Sequence, residues 1–165
     1  MSEKPRGVTR QEVETFIHLH KLSAKGHAGQ ALLTAAILDQ ELMAAILKKM
    51  RPLSKAKQER LFTALGAPLA EFANKIEMAY ALDQIDDDTR AKLRMIKDIR
   101  NKFAHLPKEC TFWTREISAF IAKFKCTEKA TNPQIFGLMA EACFNHLAER
   151  SAESAVPTPS PGTEQ

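Results

Sequence analysis

Apolar positions along this chain fall into a succession of helical stripes. Thr9-Arg10-Gln11-Glu12 has the form of a capping box, and Val13, Phe16, Ile17 and His20 mark one face of a helix after it. Gly26 to Gly29 interrupt the pattern, and a long helix is predicted from there to about Met50. Its residues Leu32, Leu33, Ala35, Ala36, Ile37, Leu38, Leu42, Met43, Ile46 and Leu47 are apolar nearly all round, which predicts a helix central to the core. Pro52 ends it. Ser54 can cap a short helix to Leu65, Gly66 stops that helix, and Pro68 suits the first position of the next, whose stripe is Leu69, Phe72, Ile76, Ala79 and Tyr80.

Asp86-Asp87-Asp88 reads as the capped start of a helix striped by Leu93, Ile96, Ile99 and Phe103 and closed by Pro107. Thr114 or Thr111 can cap a helix through Phe124, with Ile117, Phe120, Ile121 and Phe124 inward. Asn132-Pro133 pairs a cap residue with a first-position proline for the last helix, whose core face is Phe136, Met139, Ala140, Cys143, Phe144 and Leu147. No strand alternation and no internal repeat interrupts this series. The expectation is an all-α, single-domain helical bundle of about six to seven helices. It occupies residues 9–150, between a flexible arm at 1–8 and a disordered Ser/Pro/Glu-rich tail at 151–165.

Composition narrows the function classes. At 165 residues with 44% hydrophobic content the chain is one globular domain with a core of useful size. The scarcity of glycine in its central part argues against Gly-loop nucleotide binding. The net charge of +4 tilts weakly toward an anionic partner, and the Lys48-Lys49-Met50-Arg51 and Lys55-Ala56-Lys57 groups read as solvated charge first and a phosphate-facing surface second. Cys110, Cys126 and Cys143 are odd in number, lack zinc-ligand spacing, and read as reduced thiols, with Cys143 in the core. No signal peptide is visible at the start of the chain, and Asp39, Gln40 and Glu41 break the longest apolar stretch, so a cytoplasmic protein with no membrane partner is expected. No metal and no cofactor is expected. His18, His20 and His27 do not share a helix face, and the three aspartates read as capping. No helix-turn-helix can be defended either. The nearest candidate, Ser54 to Tyr80, has a second helix with Glu71 and Glu77 against one base, Lys75.

The chemistry concentrates in Arg100-Asn101-Lys102-Phe103-Ala104-His105. Asn101 and His105 are four apart and share a helix face, with Arg100 one position round. A guanidinium clamps a phosphate and an imidazole moves a proton near neutral pH, so Arg-(four residues)-His is the minimal pair for metal-free phosphodiester cleavage. The structural alternative is that Arg100 pairs with a buried acid while Asn101 and His105 solvate a helix end. Asp39, and after it Glu41, is the expected partner of Arg100, because an acid inside a helix apolar on most sides is costly unless compensated.

Gly66-Ala67-Pro68-Leu69, Lys75-Ile76, Ala79-Tyr80-Ala81-Leu82 and the downstream Arg100-Asn101-Lys102-Phe103-Ala104-His105 together resemble the mannitol operon repressor family. Ala36-Ile37-Leu38-Asp39-Gln40-Glu41-Leu42 is similar to that family's long acidic-apolar helix. The resemblance covers roughly residues 20 to 150 and implies an all-α transcriptional regulator. Arg100, Asn101 and His105 also resemble the HEPN superfamily motif, which implies a metal-independent ribonuclease site at a dimer interface in active members and a scaffold in inactive ones. The tyrosine that toxin-type members place two residues after the histidine is Pro107 here. The reading is a non-enzymatic, transcription-related regulator acting through protein contacts, with a homodimer as one form of assembly. The alternative is a HEPN-type ribonuclease with Arg100, Asn101 and His105 as its catalytic residues. RNA ranks ahead of DNA as a nucleic-acid partner.

Overall fold

The computed structural model describes residues 26–105, 110–124 and 129–153, the side chain of Glu153 excepted. These residues form six helices and no strand: α1 (His27–Lys49), α2 (Lys55–Phe62), α3 (Phe72–Ala81), α4 (Asp87–His105), α5 (Arg115–Ile121) and α6 (Asn132–Glu153). The helix expected after Thr9, with His18 and His20, lies outside the described residues, as do Pro107, Cys126 and everything from residue 154.

α1 packs against α3, α4 and α6, and α4 packs in addition against α5 and α6. The spacing of their apolar residues makes this possible. Ala31, Ala35, Leu38, Leu42 and Ile46 line one side of α1, while Leu93, Ile96, Ile99 and Phe103 line one side of α4, and all are buried. α6 contributes Phe136, Met139, Cys143 and Leu147. Each large side chain fully buried in this way contributes about 1.5–3 kcal/mol. Burial pushes the Cys143 thiol up to about 12, so it packs as a small hydrophobe and is no nucleophile.

Helix ends depart from the sequence reading at several points. α3 starts at Phe72, because Pro68 to Glu71 form turns, with Ala70 N–H bonded to Ala67 O at 3.1 Å. α5 stops at Ile121, leaving Phe120 and Phe124 half-buried, and the fully buried aromatic beside it is Phe112. Asn132 is the first residue of α6, and its side chain is a tether. Its Nδ2 donates to Phe112 O at 2.9 Å and to Ser118 Oγ at 3.2 Å. The cap itself is a Thr131–Gln134 pair, in which Gln134 Oε1 accepts from Thr131 N–H at 2.9 Å. α6 also continues through Ser151, whose Oγ accepts from Lys48 Nζ at 2.7 Å.

Two further expectations need correction. α1 is not buried all round: Leu32, Leu33 and Ala36 are exposed, Leu33 by 50%. Among the described residues, its neighbours bury chiefly the Leu38–Leu42–Ile46 side. Asp39 does not pair with Arg100. Its carboxylate takes Lys75 Nζ at 2.7 and 2.9 Å, and the same ammonium donates to Ala70 O at 3.2 Å. Three donor protons therefore meet three acceptors around a lysine side chain only 5% exposed. Arg100 is exposed and lies on a different helix from either partner. Glu41, the second candidate partner of Arg100, is half-buried.

Removing either half of the pair has unequal effects. Asp39→Ala strands a buried ammonium and is expected to destabilise by about 3 kcal/mol in urea unfolding. Lys75→Met leaves Asp39 29% exposed to water and costs less. Arg100→Ala stays within about 0.5 kcal/mol, the surface range. A larger loss for Arg100→Ala than for Asp39→Ala would contradict the assignment.

Candidate functional site

α4 presents its inner stripe to the core, so the residues between those positions face water. Arg100 and His105 are exposed and Asn101 is half-buried, in the last turns of the helix. Arg100 Nη1 donates to Asn101 Oδ1 at 3.0 Å, which orients the guanidinium along the helix surface. No hydrogen bond or ion pair among the described residues joins either to His105. With 3.6 residues per turn, Arg100 and His105 leave the axis about 140° apart, so the pair converges on one phosphate only if Arg100 bends round through Asn101. Three groups able to bind and move protons on a phosphodiester are thus accessible, and none is consumed by packing.

A second feature borders the N-terminus of α1. His27 Nδ1 accepts from Phe112 N–H at 3.4 Å. The His27 ring lies 5.2 Å from both Phe112 and Trp113, and Phe112 in turn packs edge-on to Phe103 at 5.1 Å. His27 is therefore engaged in packing. Trp113 is left 58% exposed beside it. Its place next to Phe112, in a loop pinned by Asn132, is set by the tertiary structure and has no mark in the sequence pattern.

The acidic cluster is fully occupied. Asp86 Oδ1 accepts from Thr89 N–H at 2.8 Å, the bond of a helix N-cap. Asp87 hydrogen-bonds Tyr80 and raises its pKa, and Asp88 pairs with Lys92. Among the described residues no group of histidine, cysteine and acidic side chains can hold a metal ion. Tyr80 also lies under the Arg90 guanidinium, 4.1 Å from its ring centre. Glu77 accepts from both Arg90 and Arg94, and the Arg90 hydrogen bond is the main reason its carboxyl pKa is lowered. This network fastens α3 to α4 across their exposed edge.

The third feature is the outer side of α1, where Leu32, Leu33 and Ala36 are exposed and Ile37, Met43 and Leu47 are half-buried. By length and composition alone this helix could cross a membrane, but its inner side belongs to the bundle core. No family model matches the chain, and no curated protein or solved structure matches it.

The Asp86 cap has a pH signature. Hydrogen bonds from the Thr89 side chain and backbone hold the Asp86 carboxyl below its ordinary 3.8 in the folded protein. A lowered folded value stabilises above the unfolded value, and the gain is lost as pH falls through the folded one. Asp86→Ala is expected to cost about 1 kcal/mol at neutral pH. Thermal midpoints of variant and wild type should converge as pH falls well below 3.8. A gap that widens in acid would contradict the cap.

Proposed function

We propose that this chain is a non-enzymatic regulatory protein of the transcription-related kind, acting through protein contacts made by the outer side of α1. The observation that carries the reading is the exposed Leu32–Leu33–Ala36 surface, with half-buried Ile37 on the same side of the helix. Apolar side chains exposed on a helix whose other side is core are what a protein interface needs at its centre. The resemblance to the mannitol operon repressor family supports the same reading. A second copy of the chain is one partner for this face.

One observation favours a second reading. Arg100 has no ion pair among the described residues and is oriented by Asn101, with His105 also exposed. That is the arrangement a HEPN-type ribonuclease would need, with His105 transferring the proton of the 2′-OH and Arg100 stabilising the charged phosphorane. A second chain would have to bring another Arg100 or His105 within reach.

Sedimentation and a cleavage assay separate the two. For the regulator, Leu33→Lys shifts the association state at an unchanged thermal midpoint, and the wild type leaves single-stranded RNA intact. Chelator-resistant cleavage, lost in both Arg100→Ala and His105→Ala at unchanged thermal midpoints, would replace the first reading with the second.

A further inference from the structure

The stretch from Lys48 to Arg60 holds six cations, Lys48, Lys49, Arg51, Lys55, Lys57 and Arg60, against one acid, Glu59. All six are exposed. Lys48 donates to Ser151, and among the described residues none of the six has an ion-pair partner. On α2, Lys57 and Arg60 are three apart and share a side turned away from buried Phe62. On α4, by contrast, Arg90 and Arg94 are paired with Glu77 and Lys92 with Asp88. The cation run is therefore concentrated, not a sample of the general surface.

A second observation lies next to it. α2 ends in a turn in which Ala67 N–H bonds Ala64 O at 2.9 Å. Gly66 occupies the third position of that turn with φ +74°, a backbone that side chains disfavour, although a Cβ there would meet nothing. The glycine thus serves the turn, and the turn holds Leu65 at its tip, entirely exposed and flanked by Ala64, Gly66, Ala67 and Pro68. No charge and no aromatic ring is present in this tip.

From this juxtaposition we propose that α2 and the Ala64–Pro68 turn dock on an anionic lipid surface, the cations facing the headgroups and Leu65 entering the boundary with the acyl chains. Unpaired lysines and arginines concentrate at a negative bilayer surface, and one exposed leucine adds affinity there that water cannot give. A nucleic acid would use the same cations, but it rewards stacking aromatics, and the only aromatic between Lys48 and Pro68 is buried Phe62. This departs from the expectation of no membrane partner, because a surface-docked helix needs neither a signal peptide nor a spanning segment.

The test is flotation of the full chain with vesicles of phosphatidylcholine alone or mixed with phosphatidylserine, alongside binding to a single-stranded RNA. The expected result is binding to the anionic vesicles only, weakened severalfold when salt rises from about 0.05 M to about 0.5 M. Lys55→Glu with Lys57→Glu should lower it at least tenfold. Leu65→Ser, which alters no charge and no buried contact, should lower it about tenfold, the share of one buried leucine. Both variants sit on exposed residues, so their thermal midpoints should match the wild type. Absence of binding to the anionic vesicles, binding indifferent to Leu65→Ser, or tighter binding to the RNA would each overturn the proposal.

Discussion

α1 carries apolar side chains around most of its circumference, and the bundle offers it one side. The rest of the molecule follows from how that conflict is resolved. Leu38, Leu42 and Ile46 take the inner positions and collect α3, α4 and α6 around them. Short helices of seven to ten residues, α2, α3 and α5, are too small to wrap the remaining circumference. Leu32, Leu33 and Ala36 are therefore left exposed, on a helix whose other side is core. A surface of that kind is unfavourable in isolation and useful to a partner.

Charge settles what apolar packing leaves open. Lys75, the single buried cation among the described residues, is met by Asp39 and Ala70 O, which ties α3 to α1. At the exposed edge, Glu77, Arg90, Arg94, Tyr80 and Asp87 fasten α3 to α4, each pair in water and individually worth little. The residues outside these networks are the informative ones. Arg100, His105 and the cations from Lys49 to Arg60 are held in position by the fold without contributing to it.

Much of this architecture was legible in the chain. The helical stripes of α1, α4 and α6 were readable from spacing alone, because their buried residues recur at three and four positions, and Asp86 announced itself as a cap by its place before such a stripe. The ion pair was half legible. An acid in the middle of α1 demanded a cation, but choosing Lys75 over Arg100 depends on the crossing of α1 and α3, which one-dimensional periodicity does not encode. Pro68 misled because a first-position proline suits a turn equally well. The outer side of α1 was hidden by its own composition, since a helix apolar all round reads as fully enclosed. Trp113 and Leu65 carried no signal, being single residues whose exposure is decided by the loops that hold them.

The account stands on the outer side of α1 being a contact surface. Its most direct test replaces Leu33 with a photo-crosslinking amino acid in the living host, with the same probe at Glu149, exposed and polar on α6, as the control. The expected result is a discrete protein adduct at position 33 and none at position 149. No adduct at 33, or equal yields at the two positions, would contradict the account.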